Sequence, residues 1–255
     1  SLVRDRWVAE VRGEPFAKVI LTEPVYAGKF EVTVENFGRF VDETSYQTDG
    51  ERSGKGGFAH FDSAWQRHES HTWRSPSQDW TIDQQQPVVH ITRRDAWAFC
   101  EWLSSKEHRT YSLPTEAQWE YACRAGSDSL YGSGDDPSSL KRVAWIPSTL
   151  DQAGLSHAQP VGLKEPNGFG LHDILGNATE WCSDQWTSRL ISELPLVDPR
   201  FDSPTAKHLQ RGGSWLREHA HTRCASRHEV SDRIHSYSSG FRVWLKIDSN
   251  GAEKD

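Results

Sequence analysis

The chain contains no methionine and only four cysteines among its 255 residues. No two cysteines form a CxxC pair, so neither a zinc site nor a disulfide-rich scaffold is expected; free thiols and one disulfide both remain open. Because no apolar run approaches the roughly 18 residues of a membrane span, we expect no transmembrane segment. The 29 basic and 36 acidic residues give a net charge of −7, which argues against a general nucleic-acid binder.

Aromatic residues are plentiful, with 12 Trp, 10 Phe and 6 Tyr. A core of aromatic rather than aliphatic side chains is therefore expected, which disfavours disorder, coiled coils and helix bundles. Charged residues directly follow Ser1–Val3, so the start of the given chain does not resemble a secretion signal, and both cytoplasmic and exported locations stay open. Without repeats or linkers, the pattern predicts one domain over residues 1–248 and a frayed tail over 249–255.

Three segments have the capping residues and the apolar spacing of helices. Thr33 is an N-cap candidate for a helix that ends near Glu43, and Thr92 is one for a second helix. The capping box Thr115–Gln118 begins a third helix that ends at about Arg124. The predicted apolar faces comprise Val34, Phe37, Phe40 and Val41 in the first helix and Ala96, Phe99, Cys100 and Leu103 in the second.

Strands are predicted to be short. They are expected over Lys18–Leu21, Val88–Ile91, Gln210–Trp215 and Gly240–Ile247. The last strand is predicted to place Phe241, Val243, Leu245 and Ile247 inward against Arg242, Trp244 and Lys246. Residues 44–86 and 125–209 show no period, and such long irregular stretches in a compact domain are usually functional or anchored.

Five strings occur in order between about residues 20 and 245: GKFEVTVENFGRFV, PVVHITRRDAWAFCEWLS, YSLPTEAQWEYACRAG, PNGFGLHDILGNATEWCSD and RGGSW…RCASR…GFRV. Together they resemble the formylglycine-generating enzyme (sulfatase-modifying factor) superfamily. The resemblance implies an α+β architecture, a variant of the C-type lectin-like fold with little regular secondary structure and long packed loops.

A calcium site is one expectation for the middle of the chain. Asp173 and Glu180 lie seven residues apart across a Gly-containing turn, and Ca²⁺ takes hard oxygen ligands, although ordinary turn carboxylates show the same spacing. The resemblance implies a structural calcium site with side chains from Asp173 and Glu180 and backbone oxygens from Gly176 and Ala178. A second calcium site of the superfamily is not expected, because Ala153 stands at its matching acidic position.

The catalytic cysteine pair of the superfamily is missing. Members that make formylglycine use two cysteines shortly after the Gly-Gly-Ser turn to bind copper and activate oxygen, since Cu(I) prefers thiolates. Arg217 stands at the first position and Thr222 at about the second, in a loop that looks two residues shorter. We therefore expect neither copper binding nor activation of sulfatases. The resemblance also implies a disulfide between Cys123 and Cys224.

Histidines offer a second kind of metal ligand. His219 and His221 would face the same side of a strand and could together bind Cu, Fe or Zn, although a chain with 12 histidines produces such pairs by chance. The neighbouring pair His68 and His71 lacks the spacing of a helical zinc motif.

The segment 214–239 contains three patches rich in His, Ser and Tyr, namely residues 216–222, 228–232 and 234–239. Such side chains are typical of recognition loops, and a polar solvent-exposed loop is the plainer alternative. The resemblance extends to ligand-display proteins diversified by retroelements, which makes this segment a candidate variable region. The candidate ligand-binding residues are Ser214, Trp215, Arg217, His219, His221, His228, His235 and Tyr237.

Three functions follow from these observations. The first is a non-catalytic binding domain that presents segment 214–239 to a protein, peptide or glycan on a calcium-stabilised scaffold. The second is a divergent oxygen-dependent oxidoreductase, and the third is an accessory domain of a kinase or sulfatase module. Loss of both catalytic cysteines favours the first, and the oligomeric state stays open.

Overall fold

The computed structural model describes residues 2–3, 17–61, 64–187, 192–202, 207–231 and 234–247, so the tail predicted for residues 249–255 lies outside them. The helices are α1 (Val34–Thr44), α2 (Asp49–Ser53), α3 (Arg93–Glu107), α4 (Glu116–Arg124), α5 (Leu140–Val143) and α6 (Pro147–Ala153), with 3₁₀ turns at Pro137–Ser139 and His219–His221. The strands are β1 (Leu2–Val3), β2 (Ala17–Ile20), β3 (Val25–Ala27), β4 (Gly57–Phe61), β5 (Ala64–His68), β6 (Tyr111–Ser112), β7 (Thr179–Gln185), β8 (Ser192–Val197), β9 (Lys207–Arg211), β10 (His228–Ser231), β11 (Ser239–Gly240) and β12 (Trp244–Lys246).

Short strands from distant parts of the chain pair with one another. Within the described residues they form two four-stranded sheets, ordered β1-β3-β12-β6 and β10-β9-β7-β11, and two pairs, β2-β8 and β4-β5. The centre of the second sheet is β7, which pairs antiparallel with β9 and parallel with β11. This mixture of small sheets, helices and long loops confirms the predicted α+β architecture.

The capping signals correctly place the three predicted helices. The Thr33 side chain accepts from the backbone N of Asn36 at the start of α1, and capping boxes begin α3 at Thr92 and α4 at Thr115. These signals act within a single helical turn, so they operate in any tertiary environment. The predicted helix ends are also confirmed, since α1 ends at Thr44 and α4 at Arg124.

Of the four predicted strands, the one over residues 88–91 does not form, and two others are shorter or interrupted. Residues 88–91 form no strand because His90 has a left-handed φ of 59°, which interrupts an extended ladder. The predicted strand over residues 210–215 ends at Arg211, where Gly212 and Gly213 have φ values of 97° and 71°. The strand predicted over Lys18–Leu21 is confirmed to within one residue as β2.

The strand predicted over residues 240–247 divides into β11 and β12, which belong to different sheets. Its alternation is also wrong, because Arg242 and Trp244 are fully buried rather than exposed. Arg242 is drawn inward by an ion pair with the buried Glu180, a contact between residues 62 positions apart. Residue alternation cannot reveal such a partner.

The core is built on aromatic rings, as the composition predicts. Phe37 packs edge-on against Phe40 and Trp73, with ring centroids 5.3 and 5.2 Å away, and stacks on Phe99 at 6.0 Å. Each ring buried in this way contributes about 1.5–3 kcal/mol relative to an exposed one. Among the described helices, none combines the length and the apolar character needed to cross a membrane.

Candidate binding segment and the turn that holds it

The turn of residues 173–180 holds both ends of segment 214–239. The backbone hydrogen bonds run from Gly176 N to Gly212 O (2.9 Å), from Trp215 N to Asn177 O (2.9 Å) and from Thr179 N to Ser238 O (2.8 Å). Both ends of the segment, which also contains strand β10, are therefore fixed to one buried turn, and its conformation depends on the integrity of that turn.

A buried ion pair lies behind the turn. Arg242 Nη2 donates to Glu180 Oε1 at 2.8 Å, and the Trp119 indole N–H donates to Glu180 Oε2 at 2.9 Å. Arg242 also donates to the carbonyl oxygens of Gly28 and His172. Both oxygens of Glu180 and the whole guanidinium are thus engaged within the protein.

Two further carboxylates complete this buried cluster. Glu31 accepts from Asn177 Nδ2 at 2.7 Å and from the backbone N of Ala178 at 2.9 Å. Asp173 Oδ2 accepts from the backbone N of Gly162 at 2.7 Å, whereas Asp173 Oδ1 is buried without a hydrogen-bond partner. Glu31 was not among the predicted site residues, and only its place inside the string GKFEVT points to it.

The electrostatics of the cluster are unbalanced. Three carboxylates face a single guanidinium, so burial, with Asp173 and Glu180 adding repulsion, raises the pKa of Glu31 well above its usual range. Burial likewise raises the pKa of Asp173. A raised pKa favours the protonated form, so Glu31 and Asp173 are the groups of this cluster that most readily take up a proton, or a cation in its place.

The predicted calcium ligands fit a cation only in part. No group of three or more His, Cys, Asp or Glu side chains arranged for a metal occurs within the described ranges. Asp173 lines a cavity of about 150 Å³ and has one uncommitted oxygen, which suits a hard cation. Glu180 would have to exchange the Arg242 guanidinium for the metal.

The candidate ligand-binding residues differ in how far they are exposed to solvent. The buried ones are Ser214, Trp215, His235 and Tyr237, whereas Arg217, His219 and His221 are exposed and His228 is half-buried. Asp232, in the second patch, lies outside the described residues. The surface that this segment offers to a partner is therefore concentrated in residues 217–221, which we call the exposed loop.

The buried members form an aromatic base. Trp215 packs against Tyr237 at 4.9 Å and against Trp80 at 5.9 Å, measured between ring centroids, and His157 stacks on Trp80 at 4.9 Å. Trp65, which is 51% exposed, contacts Tyr237 edge-on at 5.9 Å. These packed rings thus fix Trp215, which precedes the exposed loop, while the ring of Trp65 stays partly at the surface.

Thr222 fixes the exposed loop through hydrogen bonds to the backbone of that loop. It is fully buried, and its hydroxyl oxygen lies 3.1 Å from Arg217 O and 3.2 Å from Glu218 O. His219 and His221 lie on a 3₁₀ turn, so the strand face on which they were expected to point the same way does not form. The condition under which the two could together bind a metal, a shared strand face, is therefore not met.

All four cysteines are buried as free thiols. Burial raises the pKa of Cys100 to about 12 and the pKa values of Cys123 and Cys182 well above their usual range. The Sγ atoms of Cys123 and Cys224 lie 3.4 Å apart, so the structure brings the predicted partners together as two thiols, and their disulfide stays a prediction. A nucleophilic or metal-binding thiolate requires access, which none of these four buried thiols has.

The small sheets, long packed loops and buried central turn define an α+β domain of the C-type lectin-like class. The chain belongs to the formylglycine-generating enzyme–sulfatase family, because it matches the sulfatase-modifying factor enzyme 1-like domain over residues 4–247. It is 33% identical over 248 residues to the formylglycine-generating enzyme of Streptomyces coelicolor, with 87% of this chain and 76% of that protein covered.

Two further similar proteins carry names other than that of an active formylglycine-generating enzyme. The inactive C-alpha-formylglycine-generating enzyme 2 of Mus musculus is 29% identical over 198 residues, which cover 68% of this chain and 62% of that protein. Treponema denticola variable protein 1 superposes with a TM-score of 0.75 at 22% identity, over 96% of this chain and 94% of that one. The latter likeness shows a shared fold.

Proposed function

We propose that this chain is a non-catalytic ligand-binding domain that presents the exposed loop to a protein, peptide or glycan. The proposal rests on the two residues that the family resemblance places at the positions of the catalytic cysteine pair, because neither of them is a cysteine. Arg217 is exposed at the first, and Thr222 is buried at the second, where it closes the loop. Neither residue supplies the thiolate that copper-dependent oxygen chemistry uses in this family.

The shape and chemistry of the exposed loop support recognition. Arg217, His219 and His221 offer a cation and two imidazoles at the surface, and Glu218 adds a carboxylate. Because hydrogen bonds to Thr222 and the underlying turn already order the loop, binding a partner costs less conformational entropy than ordering a free segment would.

The similarity in fold to Treponema denticola variable protein 1 supports a finer proposal, that segment 214–239 is a variable region. The test is genomic. A near-copy of codons 211–242 beside a reverse transcriptase gene would support it, and a neighbouring sulfatase gene without such a copy would contradict it.

The binding proposal is tested on glycan and peptide arrays. The variant Arg217→Ala/His221→Ala is expected to lose the signals of the wild-type protein, and Arg39→Ala, an exposed arginine of α1, is expected to keep them. Thermal unfolding confirms that both variants fold. Oxygen uptake with a Cys-containing sulfatase peptide, with and without copper, should stay at background; measurable turnover would refute the non-catalytic function.

We also propose that the turn binds a structural Ca²⁺ through Asp173, the carbonyl oxygens of Gly176 and Ala178, and Glu180. Three carboxyl groups surround a single arginine, and a cation would relieve their mutual repulsion; this crowding and the uncommitted oxygen of Asp173 support the site. A cation that binds only the folded state at 100 times its Kd adds about 2.7 kcal/mol. EDTA should therefore lower the Tm of the wild type and of the exposed control Asp151→Asn.

The companion variant Asp173→Asn makes the calcium test specific. It removes one charged ligand, so its Tm should respond less to EDTA and to added Ca²⁺ than the Tm of the wild type does. A wild-type Tm that does not change with EDTA, or an equal response in Asp173→Asn, would contradict the site.

A further inference from the structure

A strongly basic cleft lies at the N-terminus of α3 and the antiparallel pair of β4 and β5, and no residue of the exposed loop lines it. Its volume is about 650 Å³. The charged residues that line it are Asp49, Arg52, Lys55, Arg67, Arg93 and Arg94. Five cations thus face a single carboxylate, in a chain whose net charge is −7. Such a concentration of positive charge needs a compensating anion to lower its self-repulsion.

The internal ion pairs leave most of this charge unmatched. Asp49 accepts from both Arg52 and Arg94, so a single carboxylate serves two arginines. Lys55, Arg67 and Arg93 form no salt bridge with any carboxylate in the described parts of the chain. Three cations therefore remain available to a ligand.

Two of these cations are held in place by contacts that do not neutralise them. Arg67 Nε donates to Gly56 O at 2.9 Å, and its guanidinium lies 5.4 Å from the ring centroid of Phe58. Arg93 donates to the carbonyl oxygens of Cys182 and Ser183. Burial, with Arg200 nearby, lowers the pKa of Arg93. Preorganised guanidinium groups with free N–H donors match the planar oxygen pairs of phosphate and sulfate.

We propose that this cleft binds a small organic molecule that carries a phosphate or sulfate ester. The first backbone N–H groups of α3 begin beside the Thr92 cap and favour an anion at the same place. The cleft has the volume of a small-molecule site and is larger than an inorganic ion needs. Trp97 lines one side, 5.8 Å from Arg93, and offers an apolar surface for the organic part.

This site is separate from the proposed recognition surface, since His235 alone among residues 214–239 lines the cleft. Its test is titration calorimetry with glucose 6-phosphate, glucose 6-sulfate, uncharged glucose and a pentaglutamate peptide. At least one ester should bind, more weakly at higher salt, and glucose should not. The ester that binds identifies the source of the anion, and either result supports the proposal.

Variants of the cleft make the test specific. Lys55→Gln/Arg67→Gln should weaken ester binding at least about tenfold, because each charge-assisted hydrogen bond contributes roughly that factor or more. Lys55→Glu changes an exposed side chain and should weaken it at least as much without risk to folding. The control Arg142→Gln, an exposed arginine paired with Glu165, should leave binding unchanged.

Four results would overturn the proposal. They are no binding of either ester at millimolar concentration, equal binding of glucose, equal affinity in Lys55→Glu and the wild type, and tighter binding of pentaglutamate than of both esters. The exposed-loop variant Arg217→Ala/His221→Ala should bind the ester normally, so failure here and failure of the recognition proposal are distinguishable.

Discussion

The buried cluster of Glu31, Asp173, Glu180 and Arg242 predicts an asymmetry between its two ion-pair partners. Arg242 is the cation that faces Glu180, Glu31 and Asp173, so Arg242→Gln leaves all three carboxyl groups without it, whereas Glu180→Gln leaves the arginine beside the other two. Removing one partner of a buried pair costs about 3–5 kcal/mol. In Glu180→Gln, the loss of the repulsion between Glu180 and the other two carboxyl groups offsets part of this cost, on the order of 1–3 kcal/mol at an effective dielectric of about 20.

Arg242→Gln should therefore lower the free energy of unfolding by about 4 kcal/mol or more, and Glu180→Gln by at least about 1 kcal/mol less than that. For a domain of this size, 4 kcal/mol corresponds to a Tm lower by roughly 8–16 °C. Urea unfolding followed by tryptophan fluorescence, in EDTA, measures both variants. Arg142→Gln breaks an exposed pair and should cost under about 1 kcal/mol. A larger loss of stability in Glu180→Gln than in Arg242→Gln, or equal losses in Arg242→Gln and Arg142→Gln, would refute the predicted asymmetry.

Two other perturbations test features of the fold. Burial lowers the pKa of His90 to about 3 from 6.5, so its contribution to stability is complete above about pH 6.5 and falls as the pH drops, by about 2 kcal/mol at pH 5. Burial raises the pKa of Asp184 to about 6, and this group makes the protein more stable as the pH falls, in the opposite sense to His90. The urea midpoints of the wild type at pH 7 and 5 must therefore be compared with those of His90→Gln. An equal loss of stability between pH 7 and 5 in both proteins would contradict the assignment to His90. Gly213→Ala should lower the free energy of unfolding by about 1–3 kcal/mol more than Gly126→Ala does. Both glycines have a positive φ, but only a Cβ at position 213 would lie 2.4 Å from Thr222 Oγ1. Equal Tm values of the two variants would contradict a destabilising contact with Thr222.

Local signals made the helices predictable, and the same locality explains the missed strand β7. The caps of α1, α3 and α4 are contacts between residues three positions apart. By contrast, the residues of β7 are buried on both faces up to Asp184 and include Glu180 and Ser183, so they show neither an apolar run nor an alternation. Their polar groups are satisfied by partners from other elements, which a short window of sequence does not contain.

The sequence by itself determined the helices and the aromatic character of the core. Only the tertiary structure decided that residues 217–221 are exposed while His235 and Tyr237 are buried. It also brought Glu31 to Asn177, 146 positions away, and gathered the cations of the basic cleft from α2, β5, α3 and the connection after α2. The physical reason is that caps depend on neighbours along the chain, whereas burial and electrostatic balance depend on every group that the fold brings near.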